Sequence, residues 1–229
     1  MELSMQVQIS LDNVGHGFQL NGKTVELFSG INAEFKGASS TAIIGPSGSG
    51  KSTMLAIMAG LDLPNNGRVV YHNKALVGSS KGELTATQMR QHTGFIFQHF
   101  HLLDEMDVLN NVALPLKLRG DRKAIEKSKQ WLNIVGLSDR YNQPVIQLSG
   151  GEKQRVAIAR AFVSEPAVIF ADEPTGSLDE ATAQDITQVM FDCCHSHSTN
   201  LVLVTHNNEL AAQADECYSL SHGKLELQS

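Results

Sequence analysis

The sequence predicts an α/β fold with a mainly parallel sheet, an N-terminal antiparallel β subdomain and an inserted α-helical subdomain. Short β-rich apolar runs recur along the chain, and helical patterns separate them. The first forty residues instead carry closely spaced alternating runs, and residues 99–163 read as mostly helical.

In chain order, "VQISLDNV" (7–14), "TVELF" (24–28) and "INAEF" (31–35) alternate apolar and polar residues, as half-buried antiparallel strands do. The alternation already begins within "MELSMQ" (1–6). "TAII" (41–44) is continuously apolar, the pattern of a strand covered on both faces, and Ser52–Ala59 reads as the helix after it. "GFIF" (94–97) is a second such strand. Asp121–Val135 gives the clearest helix of the 99–163 block. "AVIFA" (167–171), a helix over Ala181–Cys193 and "LVLV" (201–204) complete the alternation. The expected organisation is one domain over 1–229. Residues 1–98 and 164–229 form the α/β core with its antiparallel part, and 99–163 form the helical subdomain.

Bulk composition narrows the function. Of 229 residues, 41% are hydrophobic, enough for a core. Charged residues are 18%, of mixed sign, and the net charge is −6, which argues against nonspecific nucleic-acid binding, since that needs a basic surface. No apolar run approaches the ~18 residues of a membrane span, and the start lacks a basic, apolar signal segment. The expectation is a soluble cytoplasmic protein whose membrane role comes through a partner, with no regulatory domain after the last strand. Three cysteines (Cys193, Cys194, Cys217) without framework spacing fit a reducing compartment. "CCHSH" (193–197) reads as a helix end and polar turn, because adjacent cysteines chelate zinc poorly.

Three stretches carry chemistry. "GPSGSGKS" (45–52) fits G-x-x-x-x-G-K-[ST] between an apolar strand and a helix. Its glycines let backbone N–H groups wrap phosphates, Lys51 reaches the β- and γ-phosphates, and Ser52 suits Mg²⁺. "VIFADEP" ends a strand with Asp172 and Glu173 at the mouth of an open sheet. Asp172 fits a water-mediated place in the Mg²⁺ shell and Glu173 a general base for attacking water. "LVLVTH" ends another strand with His206, and "GFIF" is followed by Gln98. His206 either meets the γ-phosphate and water or is structural. Gln98 either orients water and completes the metal shell or is a polar strand end.

"QLSGGEKQRVAIARA" (147–161) holds a capping box, Ser149 with Glu152, before an amphipathic helix. Gly150 and Gly151 occupy its first turn, where each costs up to ~1 kcal/mol against alanine. Glycines there admit an approach to the backbone, and a helix N-terminus attracts anions. The chain therefore carries a second candidate phosphate site.

Taken together and in order, these motifs resemble the ATPase subunits of ABC transporters. Walker A covers 45–53, the Q-loop is Gln98, the signature is 148–152, Walker B is 168–173, the D-loop is 177–179 and the H-loop is His206. The resemblance covers essentially the whole chain. It implies ATP and Mg²⁺ as cofactors, ATP hydrolysis coupled to transport, and a P-loop NTPase core. It implies nucleotide contacts from Gly45, Pro46, Ser47, Gly48, Ser49, Gly50, Lys51, Ser52 and Thr53. Ser149, Gly150, Gly151 and Asp179 would complete the site of a second subunit in a head-to-tail dimer, expected to be a homodimer. Lys51, Gln98, Glu173 and His206 are the implied catalytic set, and Ser52, Gln98 and Asp172 the metal set.

The finer resemblance is to the lipoprotein-releasing and macrolide-exporting branch that includes LolD, MacB and YbbA-like ATPases. "LAIMAGLD" (55–62), "GFIFQHFHLL" (94–103), "NNVALPL" (110–116) and "FADEPTGSLD" (170–179) carry it. It implies an integral membrane permease as partner and a peripheral place on the inner face of the cell membrane. A division-signalling ATPase of FtsE type or a solute-importer subunit are the alternatives. A P-loop kinase or GTPase has no use for the signature stretch, and no guanine-reading N-K-x-D is present. Three positions depart from the family. Phe18 stands for the usual adenine-stacking tyrosine, Ser177 for asparagine, and Asn207 for aspartate. A permease-docking surface is expected between Gln98 and Asn111, where Phe100, Leu102, Leu103 and Met106 cluster.

Overall fold

The computed structural model describes residues 7–20, 22–73, 83–84 and 90–228. The alternation expected within residues 1–6 lies outside them. In chain order the first elements are β1 (Val7–Leu20), β2 (Lys23–Phe35), β3 (Ser40–Ile44), α1 (Lys51–Met58), β4 (Asn66–Asn73), β5 (Glu83–Leu84) and β6 (Thr93–Phe97). Then come α2 (Val108–Leu118), α3 (Ala124–Ile134), α4 (Gly150–Phe162), β7 (Val168–Asp172), α5 (Glu180–Ser196), β8 (Asn200–Val204), α6 (Asn208–Ala211), β9 (Glu216–Ser221) and β10 (Lys224–Leu227).

One sheet has the order β10-β9-β3-β8-β7-β6 and is parallel except for β10 at its edge. The other, β2-β1-β4-β5, is antiparallel. This is the expected α/β architecture. The two-residue period of each strand explains the continuous apolar runs. Ile43, Val168, Phe170, Val202 and Val204 face α1 and the antiparallel sheet, packing with Met54, Leu55, Ile9 and Phe28. Their neighbours Ala42, Ile169, Ala171, Leu201 and Leu203 join the opposite core, which continues through α4 to Trp131 and Leu132 of α3.

Some elements differ from expectation. "TVELF" and "INAEF" form one strand, β2, running through Gly30 at φ 66°. Register shifts against β1 absorb the irregularity between Leu11 and Gly17. The antiparallel sheet also extends past the first forty residues, because β4 pairs with β1. β9 and β10 close the other sheet; their mixed polar sequences gave no run to read. Helices α2, α3 and α4 lie in sequence between β6 and β7. α4 rests on β6 where Gly94 leaves room: a Cβ there would lie 2.4 Å from the Ala161 carbonyl oxygen.

Candidate active site

β3, β8 and β7 are adjacent parallel strands, so Ile44, Val204 and Asp172 end at one edge of the sheet. The loop after β3 is pinned closely. A Cβ at Gly45 would lie 2.2 Å from the Leu220 carbonyl oxygen, and Gly50 has φ 96° with Phe28 3.1 Å from its would-be Cβ. Pro46, Ser47 and Gly48 are exposed at the tip, and the Ser49 N–H donates to the Pro46 carbonyl at 3.2 Å. Lys51 opens α1. Its ammonium curls over the loop and donates to the Gly45 and Pro46 carbonyls at 2.9 and 3.1 Å. The Ser49 hydroxyl is buried without a partner, an orphaned donor inside the 45–52 loop. Thr53, half-buried, follows Ser52 on α1.

Ser52 Oγ donates to Asp172 Oδ1 at 2.9 Å, across 120 residues of sequence. Burial pushes the Asp172 carboxyl above the usual carboxylate range, the Ser52 bond and Lys51 pull it back, and the Glu173 charge adds to the rise. A paired hydroxyl and carboxylate are hard oxygen ligands of the kind that Mg²⁺ takes.

Glu173 sits in the left-handed region, φ 46°, a strained conformation for a side chain. That turn aims its carboxylate back over β8. Oε1 accepts from Nδ1–H of His206 at 2.8 Å, and Oε2 accepts from the Thr205 hydroxyl at 3.2 Å. An ionised carboxylate only accepts, so this bond places the imidazole proton on Nδ1. His206 is thus engaged by Glu173 and not free-standing. Thr205 itself is fixed by the Asn207 N–H, and Asn207 caps α6 as an aspartate would. A groove of about 280 Å³ opens beside Glu173, Thr205 and His206.

Gln98 follows β6 in a turn. Its amide nitrogen lies 3.1 Å from the Cβ position of Gly176, and its carbonyl accepts from the Ser177 hydroxyl at 3.1 Å. No hydrogen bond joins it to Ser52 or Asp172 among the described residues. The serine at 177 thus contacts the Gln98 backbone.

The capping box of α4 is formed. Ser149 Oγ accepts from the Glu152 N–H, while the Ser149 N–H donates to Glu152 Oε2 at 2.9 Å. These bonds hold the Glu152 carboxyl below its usual range. What the two glycines admit within this chain is the start of α5. A Cβ at Gly150 would meet Leu178 at 3.2 Å, and one at Gly151 would meet the Thr182 methyl at 2.6 Å. Asp179 is the N-cap of α5, accepting from the Thr182 N–H. Ser149 makes its bonds with Glu152, and none with the loop at 45–53.

Phe18 lies on β1 opposite Val25 and is 45% exposed. It lines a cavity of about 270 Å³ with His16, Glu26, Phe28 and Asn65. Phe28 also abuts Gly50, so this cavity adjoins the phosphate loop. A larger cavity, about 390 Å³, lies at the opposite strand ends beside Ser40, Thr199 and Asp215.

Sequence reading missed Thr205, whose signal was its place between "LVLV" and His206. It also missed Gln154, fully buried, whose amide donates to the Pro174 carbonyl at 2.6 Å. Nothing in sequence marks the partner of that amide. "CCHSH" ends α5 as expected. Cys193 and Cys194 are buried, burial pushes both thiols up (Cys193 to about 11), and no metal-holding cluster exists among the described residues. No helix among them is long and apolar enough to cross a membrane.

The geometry agrees with comparisons to known proteins. The family model described as "ABC transporter" matches residues 28–176. The lipoprotein-releasing system ATP-binding protein LolD of Hahella chejuensis is 42% identical over 214 residues, covering 92% of each chain. The uncharacterized ABC transporter ATP-binding protein YbbA of Escherichia coli K12 is 42% identical over 204 residues, covering 88% of this chain and 89% of its own. Among solved structures, the dimeric bacterial ABC transporter cassette MJ0796 superimposes with a TM-score of 0.81 at 31% identity, covering 96% of this chain and 99% of its own. The same cassette in a dimeric post-hydrolysis state, bound to ADP and Pi, matches equally.

Proposed function

Because this chain belongs to the ABC transporter family, as an ATP-binding ATPase subunit, we propose that it hydrolyses Mg²⁺-ATP as a head-to-tail homodimer and drives an integral membrane permease. The permease is of the kind served by LolD-type ATPases, and the subunit sits on it at the inner face of the membrane. Lipid, lipoprotein or export cargo fits that branch better than solute import or division signalling, since the LolD and YbbA similarity spans nearly the whole chain. We assign residues 1–98 and 164–229 to the nucleotide-binding core and 99–163 to a helical arm that faces the partner subunit.

The observation that carries this reading is the Glu173 carboxylate. It is held by Thr205 and His206 one residue from the Ser52–Asp172 pair. Lys51 exchanges the Gly45 and Pro46 carbonyls for the β- and γ-phosphates, and the loop N–H groups wrap them. Ser52 and Asp172, with Gln98 brought up, would hold Mg²⁺, which would supply charge neutralisation to the phosphates. Glu173 takes the proton of the attacking water as ADP departs, and His206 keeps that carboxylate aimed. Phe18 stacks on the base. Ser149, Gly150, Gly151 and Asp179 contact the nucleotide held by the second subunit.

Phosphate release from ATP by the purified chain, with and without its permease, tests this. It should require a divalent cation and vanish in Lys51→Ala. Undiminished hydrolysis by Lys51→Ala would remove the loop from the reaction.

A further inference from the structure

Arg160 lies at the end of α4 remote from Ser149. Its two Nη groups donate to successive carbonyls, Phe100 at 2.6 Å and His101 at 2.5 Å. No carboxylate pairs with it among the described residues. A partly buried cation without a counter-charge is unfavourable unless its hydrogen bonds are made. Burial accordingly lowers the affinity of this guanidinium for its proton, yet arginine stays charged at neutral pH. The backbone that it grips is strained: Phe100 and His101 both have left-handed φ, 61° and 48°.

Gln98 is two residues upstream of that grip. From the other side, Ser177 holds the Gln98 carbonyl, and Gly176 backs its amide. The 98–101 loop is therefore clamped between the end of α4 and the segment that follows Glu173. α4 is a rod of thirteen residues, about 20 Å long. In its second turn, buried Gln154 bonds the Pro174 carbonyl while its Oε1 is buried without a partner. Any displacement of α4 thus reaches both the Glu173 segment and the Gln98 loop.

We propose that Arg160 is a positioning residue: it makes the Gln98 loop follow α4, so that Ser149 meeting a nucleotide at the start of the helix sets Gln98 against Glu173 through the Arg160 grip near its end. This rests on the roles given above to Gln98 and Ser149. A planar fork gripping two carbonyls transmits both displacement and rotation, which a single ammonium does not.

The test compares ATPase kinetics of the full chain with those of Arg160→Met, Arg160→Lys, Ser177→Ala and Gln98→Ala. Arg160→Met should lower kcat about tenfold and leave KM for ATP within about twofold, the pattern of a lost transition-state arrangement. Arg160→Lys should recover part of the loss. The chain's single tryptophan, Trp131, stacks on Phe162 at 5.1 Å, two residues past Arg160. Unchanged Trp131 emission and melting temperature show that the helix end has stayed folded. Arg160→Met combined with Ser177→Ala should lose less than the product of the single losses, since both hold one loop. The proposal is overturned by wild-type kcat in Arg160→Met, by multiplicative losses, or by a loss that tracks the unfolded fraction. Impaired Gln98→Ala beside unimpaired Arg160→Met sinks the proposal alone. Unimpaired Gln98→Ala sinks the reading of Gln98 and the proposal with it.

Discussion

Glu173→Gln changes one oxygen to NH₂ and leaves shape and volume alone. In the structure the two carboxylate oxygens accept from Nδ1–H of His206 and from the Thr205 hydroxyl. The amide can keep its oxygen toward His206 and turn its NH₂ toward Thr205. The threonine hydroxyl can rotate to accept, although it also accepts from the Asn207 N–H. The stability cost should be at most about 1 kcal/mol. What disappears is the basic oxygen. General-base catalysis contributes about 10²–10⁴-fold, equivalent to about 3–5 kcal/mol in the barrier. Lys51 and the loop amides are untouched, so ATP affinity should stay within about twofold. Single-turnover phosphate release, calorimetric ATP binding and size-exclusion chromatography measure the three parts. We expect slow release, normal binding and an ATP-bound dimer that accumulates. Hydrolysis within about tenfold of the parent would refute Glu173 as the base. An equal loss of ATP affinity would make it a binding residue instead.

Asp172→Asn should stabilise the nucleotide-free protein near neutral pH while lowering Mg²⁺-dependent turnover at least about 10²-fold. Its folded pKa is raised, so ionisation costs stability as pH climbs through that value; the melting difference should shrink as pH falls toward about 4, and its absence at neutral pH would contradict the burial argument. Gly151→Ala forces the Thr182 methyl aside, which should cost about 1 kcal/mol net of the helix gain and weaken ATP-driven dimerisation. Thr182→Ser in the same chain removes that methyl and should restore the melting temperature; no restoration would move the cause elsewhere. Leu103 is exposed but Leu102 packs on the core, so Leu103→Asp should uncouple hydrolysis from the permease with intrinsic ATPase intact, whereas Leu102→Asp should unfold the subunit. Unfolding of Leu103→Asp on thermal melting would assign that residue to the core as well.

The buried strands were legible because each is a short apolar run ended by a polar residue: Asp172 after "VIFA", His206 after "LVLVT", Gln98 after "GFIF". The capping box was legible because its geometry is local, spanning Ser149 to Glu152. Partnerships across the fold were not. Ser52 with Asp172, Gln154 with Pro174 and Arg160 with the 100–101 carbonyls join residues 20 to 120 apart, and no periodicity encodes them. The glycines of "LSGG" illustrate the difference. Helix propensity signalled that something approaches them, but Leu178 and Thr182 could be named only from the folded chain. β2 was read as two runs on either side of Ser29–Gly30, and only pairing with β1 carries the strand through them.

The shared, head-to-tail nucleotide site is tested most directly by crosslinking cysteines placed at Ser149 and Ser47, both exposed. The native thiols interfere little, since Cys193 and Cys194 are buried and burial raises the pKa of all three. In the Glu173→Gln background, ATP should yield a link between subunits, running as a dimer under denaturing conditions and absent without nucleotide. A link formed only within one chain, or one between chains that is indifferent to ATP, would contradict the shared site.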